Sequence, residues 1–165
     1  MQNETRALAA QLGEMLKSKK GMLATAESCT GGLLAGALTS IPGSSVWFDQ
    51  GWITYSNQAK HVQLGVAKET LDQFGAVSEE VARQMATGAL AMAPRATLAL
   101  TTTGIAGPGG GSAGKPVGLV WFGFAQRASS GVIVHAASRI FPSDRDAVRD
   151  ASVAFSLQSA LELLA

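Results

Sequence analysis

Between Met22 and Ile41 the chain changes periodicity across one polar turn, and that change narrows the folds open to it. Met22–Ala26 is a short continuous apolar run and reads as a buried strand. Glu27-Ser28-Cys29-Thr30-Gly31-Gly32 interrupts it, after which Leu33, Leu34, Ala37, Leu38 and Ile41 recur at helical spacing. A buried strand that turns directly into an amphipathic helix needs a sheet with helices packed on it.

The rest of the chain repeats the theme. Leu8, Leu12, Met15 and Leu16 predict an amphipathic helix over residues 3–19, ended by Gly21. Pro42-Gly43-Ser44-Ser45 reads as a loop, and Val46–Tyr55 as a strand weakened by Gly51. Ser56 or Asn57 can cap a short helix carrying Lys60 and Leu64. Lys68–Phe74 suggests another short helix. A longer one opens at Ser78-Glu79-Glu80 and runs to Met92, stopped by Pro94. Thr97–Thr102 reads as strand, and Gly104–Gly114 as a glycine-rich loop. Val117–Ala125 and Gly131–Phe141 read as two strands joined by a turn at Ala128-Ser129-Ser130. Ser143-Asp144-Arg145-Asp146 has helix-start chemistry, and the last helix runs to about Leu164. The expectation is an α/β fold: one three-layer α/β/α sandwich over residues 1–165, around a mostly parallel or mixed sheet.

Composition then excludes several function classes. A chain of 165 residues buries roughly 70% of its unfolded surface and needs no disulfides or metal to hold a core. Its formal net charge of +1 offers no basic excess for nucleic acid or an anionic membrane. The charged start lacks an apolar signal core, and the longest apolar stretch, around Val117–Ala125, is too short to span a bilayer. With a single cysteine, Cys29, no internal disulfide forms. A cytoplasmic protein is expected, with a small-molecule substrate, no nucleic-acid or membrane partner, and a homodimer as its assembly. The two histidines and the one cysteine make no H-x-x-x-H or C-x-x-C spacing, so no metal and no cofactor are expected.

Three segments carry candidate chemistry. Ser28 stands where a strand turns into a helix, at the end of the sheet where open α/β folds place ligands. Helix-start N–H groups there can stabilise an oxyanion, and Gly31 and Gly32 admit a ligand close to the backbone. Ser28 or Thr30 can equally serve as a helix N-cap. The pattern differs from the G-x-S-x-G elbow. Cys29 is a competing nucleophile, or a small buried packing residue. Neither His61 nor His135 has an aspartate and serine placed to make a triad.

In Tyr55-Ser56-Asn57-Gln58-Ala59-Lys60, a lysine held neutral by burial can act as a general base, and Tyr55 can order it. The alternative is a solvated lysine beside a core-edge tyrosine. Thr103-Gly104-Ile105-Ala106-Gly107-Pro108 follows a strand, and its glycines permit a nest of N–H groups for an anion, although it matches no nucleotide-binding fingerprint. Arg145 falls in the first turn of the last helix, where a positive charge opposes the dipole. That placement suits an anionic ligand, or an ion pair with Asp144 or Asp146. Arg139 and Arg149 are nearby alternatives.

Taken together, Thr25-Ala26-Glu27-Ser28-Cys29-Thr30-Gly31-Gly32, Tyr55-Ser56-Asn57 with Lys60 and Leu64-Gly65-Val66, and Gly104-Ile105-Ala106-Gly107-Pro108 with Lys115-Pro116-Val117-Gly118 resemble one family over nearly the whole chain. Gly75-Ala76-Val77-Ser78 and Asp144-Arg145-Asp146 support the match. The family is that of the nicotinamide-nucleotide amidases, the carboxy-terminal domain of the CinA proteins. The resemblance implies hydrolysis of nicotinamide mononucleotide to nicotinate mononucleotide and ammonia in pyridine-nucleotide salvage, by a Ser–Lys mechanism without metal. A non-catalytic nucleotide-binding module of the same fold is the alternative. Carried over residue by residue, the catalytic set is Ser28, Lys60 and Tyr55. The substrate-binding set is Cys29, Thr30, Gly31, Thr103, Gly104, Gly107 and Arg145. The amino-terminal pyrophosphatase domain of longer family members has no counterpart in these residues, so deamidase activity alone is expected.

Overall fold

A computed structural model describes residues 3–165. Strands β1 (Leu23–Glu27), β2 (Phe48–Ile53), β3 (Leu98–Gly104), β4 (Leu119–Ala128) and β5 (Gly131–Ile140) form one sheet in the order β2-β1-β3-β4-β5. β1 runs parallel to both β2 and β3, while β4 and β5 complete the sheet antiparallel. The expected mixed sheet is therefore what forms, with the predicted hairpin as its antiparallel half.

Helices cover both faces because alternate strand residues point to opposite sides. Leu98 and Leu100 join one core with Leu12, Leu16, Leu34, Leu38, Trp47, Phe122 and Leu157. That core lies beneath α1 (Asn3–Ser18), α2 (Leu33–Thr39) and α6 (Arg145–Leu164). Ala99 and Ala125 face the other core, with Leu64, Val66, Leu71, Met85 and Leu90 from α3 (Asn57–Leu64), α4 (Lys68–Phe74), α5 (Glu79–Met92) and their connections. Each fully buried leucine contributes about 2 kcal/mol by burial, so both cores are needed. Alanines in the strands under α5 let that helix lie close on the sheet. Gly88 brings α5 against α3: a Cβ there would stand 1.9 Å from the Leu64 carbonyl oxygen. This close approach fixes the helix that carries Lys60.

Several boundaries depart from the sequence reading. The expected strand does not begin at Val46: that residue closes a turn of 3-10 helix (Ser44–Val46) that folds Trp47 fully into the core before β2 begins at Phe48. Leaving the strand after Ile53, Thr54 still donates its N–H to the Glu27 carbonyl. α2 ends at Thr39, three residues before Pro42, since the residue before a proline is disfavoured in helix. β3 extends through Thr103 and Gly104, so the glycine loop begins later than expected, at Ile105. β4 starts at Leu119 rather than Val117. No helix among the described residues is long and apolar enough to cross a membrane.

Candidate active site

β1 and β3 are parallel neighbours whose following connections diverge along the sheet, β1 by way of α2 to β2 and β3 by way of the glycine loop to β4, so a crevice opens between them at the carboxyl ends. A cleft of about 280 Å³ lies there. It is lined by Ser28, Cys29, Tyr55, Lys60, Thr103, Gly104, Gly107 and Arg145, together with Ala76, Val77 and further residues of the glycine loop. Segments distant in sequence thus meet in one place. Ala76 and Val77, just before α5, were not anticipated as lining residues; short apolar side chains in a loop carry no signal of their own.

Ser28 continues the pairing of β1 with β3 by one residue, its N–H donating to the Thr102 carbonyl at 3.0 Å. It is not the helix cap. Gly32 occupies that position for α2, with no side-chain capping bond. The Ser28 hydroxyl lies 3.0 Å from Lys60 Nζ and a looser 3.4 Å from the Tyr55 carbonyl. Lys60 comes from the first turn of α3, whose cap is Ser56, its Oγ accepting the Ala59 N–H. The amine is directed inward to the Thr54 carbonyl at 2.8 Å and the Tyr55 carbonyl at 3.0 Å.

Lys60 is 1% exposed, and burial lowers its pKa from 10.5 to about 8. Its three partners suit both protonation states. As an ammonium it donates to two carbonyls and to Ser28 Oγ. As a neutral amine it keeps two N–H donors for the carbonyls and turns its lone pair to the Ser28 hydroxyl proton. Between the two states the heavy atoms keep their places: the ammonium gives up the proton that faced Ser28, and the serine proton turns toward the freed lone pair. Among the candidate bases this lysine alone is in place: His61 Nδ1 is occupied at the Val66 carbonyl, and His135 is exposed on β5. Burial pushes the Cys29 thiol up to about 11, and the side chain joins the core under α1, α2 and α6, so the packing reading of Cys29 fits its surroundings.

Tyr55 reaches the pair through its backbone, not its ring. Its carbonyl accepts from Lys60 and Ser28, while the phenol, on a side chain 59% exposed, accepts a hydrogen bond from Arg145 Nη2 at 3.2 Å. Arg145 Nη1 donates to the Gly107 carbonyl at 2.7 Å. It makes no ion pair with Asp144 or Asp146 among the described residues. Asp144 instead caps α6 by accepting the Ala147 N–H. The guanidinium therefore bridges the Tyr55 ring and the glycine loop across the mouth of the cleft.

The side chains of two expected substrate-binding positions do not line the cleft. Thr30 is fully buried, its hydroxyl donating to Glu27 Oε1 at 2.7 Å and paired with Thr102 Oγ1 at 2.8 Å. Gly31, at φ +57°, sits against Arg149 rather than in the cleft. Glu27 itself was missed. Its carboxylate is 1% exposed and accepts the N–H groups of Leu34 (2.8 Å) and Ala35 (3.0 Å). Glu27 is thus the true cap of α2, an acidic group at the positive helix end. Its signal was present, a carboxylate a few residues ahead of a helical period. The same bonds change the expected oxyanion site. The first-turn donors of α2 are taken by Glu27, and the Leu33 N–H by the Thr30 carbonyl, so a free donor must come from the turn itself.

Fold and cleft together define a three-layer α/β domain with a buried serine–lysine pair at the carboxyl ends of its parallel strands. Residues 5–164 match the family described as CinA C-terminal domain, and the chain belongs to that family. It is 54% identical over 154 residues to the nicotinamide-nucleotide amidohydrolase PncC of Enterobacter agglomerans, covering 93% of this chain and 92% of that protein. The protein of the same name from Escherichia coli strain K12 is 50% identical over 157 residues, covering 95% and 93%. Among solved structures, the competence/damage inducible protein CihA of Agrobacterium tumefaciens superposes with a TM-score of 0.89 at 47% identity, over 99% of this chain and 97% of that one.

Proposed function

We propose that this chain hydrolyses the carboxamide of nicotinamide mononucleotide, with Ser28 as nucleophile and Lys60 as general base. The observation that carries the reading is the Ser28 Oγ–Lys60 Nζ contact of 3.0 Å inside a cleft, with a lysine whose burial lowers its pKa to about 8. The relatives bearing the amidohydrolase name match over nearly their whole length, which supports the substrate class. In acylation, neutral Lys60 takes the Ser28 proton as Oγ attacks the amide carbon. The ammonium then protonates the departing nitrogen, and ammonia leaves behind a Ser28 ester. In deacylation Lys60 takes a proton from water, hydroxide adds to the ester, and the returned proton restores Ser28 as nicotinate mononucleotide forms. The Arg145 guanidinium beside Gly107 supplies the positive charge suited to the nucleotide phosphate. The turn N–H groups of Cys29 and Thr30, without a backbone partner among the described residues, are the candidate oxyanion donors.

A module that only binds nucleotide has no need of a fully buried amine, whose desolvation is costly. The test is direct: purified protein incubated with nicotinamide mononucleotide is expected to release ammonia and nicotinate mononucleotide in equal amounts. No product from a folded protein would overturn the reading.

A further inference from the structure

Arg149 lies one helical turn beyond Arg145 on α6, yet its guanidinium goes to a different place. Nε donates to the Cys29 carbonyl at 3.1 Å and Nη2 to the Thr30 carbonyl at 3.3 Å. Its nearest carboxylate, Asp146, is 4.0 Å away and 91% exposed, a contact of little energetic weight. Cys29 lines the cleft and Arg149 does not, so the guanidinium holds the turn from behind. Gly31 packs beside it, where a Cβ would be in ordinary contact with Nη2 at 3.5 Å.

The peptide joining Cys29 to Thr30 is trans and planar, which sets its C=O and N–H antiparallel. Pulling the Cys29 carbonyl toward Arg149 therefore turns the Thr30 N–H the opposite way, toward the cleft side of the turn. That N–H has no partner among the described residues, while the Ser28 N–H goes to Thr102, the Gly31 N–H to Ser28 and the Leu33 N–H to Thr30; the Cys29 N–H, also without a backbone partner, belongs to the preceding peptide, which Arg149 does not touch. The positive charge on the carbonyl also polarises the peptide and strengthens the donor at its other end. From this geometry we infer that Arg149 is a positioning residue for the oxyanion site, holding and polarising the Cys29–Thr30 peptide so that the Thr30 N–H meets the oxygen of the tetrahedral intermediate. The inference rests on the Ser28 amidase reading above and adds to it the group that orients its electrophilic half.

The discriminating probe is a thioamide. Sulfur is a poor acceptor of oxyanion-site hydrogen bonds, so the ratio of turnover on nicotinamide mononucleotide to turnover on its thioamide analogue reports that site alone. Arg149→Met keeps the length of the side chain and removes both donors. It is expected to lower kcat on the amide by about 10–100-fold, less than the roughly 10²–10³-fold of deleting an oxyanion donor outright. KM is expected to stay unchanged, and the amide-to-thioamide ratio to fall toward one. Arg149→Lys, which can reach one carbonyl, is expected to fall between wild type and Arg149→Met. Circular dichroism and a thermal melt on each variant check the fold. Equal losses on amide and thioamide would overturn the inference in favour of a purely structural role. A raised KM on the nucleotide with an unchanged ratio would overturn it in favour of a phosphate contact. An inactive wild type would instead remove the amidase reading itself, so the two failures are told apart.

Discussion

The two walls of the cleft are built on opposite principles. The turn from Ser28 to Gly32 is braced from every side: Glu27 ties it to α2, Thr102 ties Thr30 to β3, and Arg149 holds two of its carbonyls. The loop from Ile105 to Gly118 is mostly exposed and has few anchors. Among them are Arg145 on Gly107, Lys115 on the Phe74 carbonyl, and short-range bonds between its two ends. The contrast matches two tasks. A nucleophile and an oxyanion site must be held within about half an ångström, which only a packed surround achieves. A loop that receives the outer part of a ligand tolerates more freedom.

The largest expected effect is at the pair itself. Ser28→Ala is expected to reduce ammonia release to background with an unchanged melting profile, since the hydroxyl contributes to no core. Lys60→Arg is expected to do the same to activity, because a guanidinium does not give up its proton. In wild type, kcat/KM is expected to climb as pH rises toward about 8 and then level off, because only the neutral amine accepts the serine proton. The sign for stability follows from the same shift. The unfolded chain holds the lysine proton more tightly than the folded one, so the stability attributable to Lys60 rises between about pH 8 and 10.5. Urea midpoints measured across that range are expected to show this rise in wild type and to lack it in Lys60→Met.

Next comes the brace. Glu27→Leu leaves the Leu34 and Ala35 N–H groups without their acceptor and removes one of the two partners of the Thr30 hydroxyl, at a cost of about 3 kcal/mol. Urea denaturation is expected to show that loss, with a smaller one for Glu27→Gln, which keeps one acceptor oxygen. A negligible change in Glu27→Leu would remove the contrast between the two walls.

Smaller still is the effect at the loop's anchor. Arg145→Ala is expected to weaken the nucleotide by about 1.5–3 kcal/mol, the range for a hydrogen bond to a charged group, and to change the nucleoside reaction much less. Equal losses on the two substrates would make Arg145 a structural strap for Gly107. At the far end of the scale lies Gly114→Ala. A Cβ at Gly114 meets nothing within 4 Å, and its φ lies outside the left-handed range. Activity is expected to be unchanged, with a gain of at most about 1 kcal/mol from a less free unfolded chain. A substantial loss of turnover would show the loop to be as constrained as the turn.

Much of this architecture was legible in the residues. The strand–turn–helix at Met22–Ile41 announced itself because apolar spacing switches period there, and periodicity is a local property. Ser28 was placed at the carboxyl end of a strand for the same reason, and so was the short helix bearing Lys60. What no local pattern decides is which ends meet. Lys60 reaches Ser28 because β2 pairs in parallel beside β1, bringing the Thr54 and Tyr55 carbonyls against the amine. The Tyr55 ring was expected at the pair, but the strand's exit turns the carbonyl inward and leaves the phenol to Arg145. Thr30 and Gly31 were expected in the cleft. Turn geometry sends the Thr30 side chain to Glu27 and sets Gly31 against Arg149, which bonds the same turn from about 120 positions away along the chain. Sequence spacing determined the elements and the kinds of chemistry available. Only the tertiary structure decided the partners, because hydrogen bonds and burial depend on distances across the sheet that no run of neighbouring residues encodes.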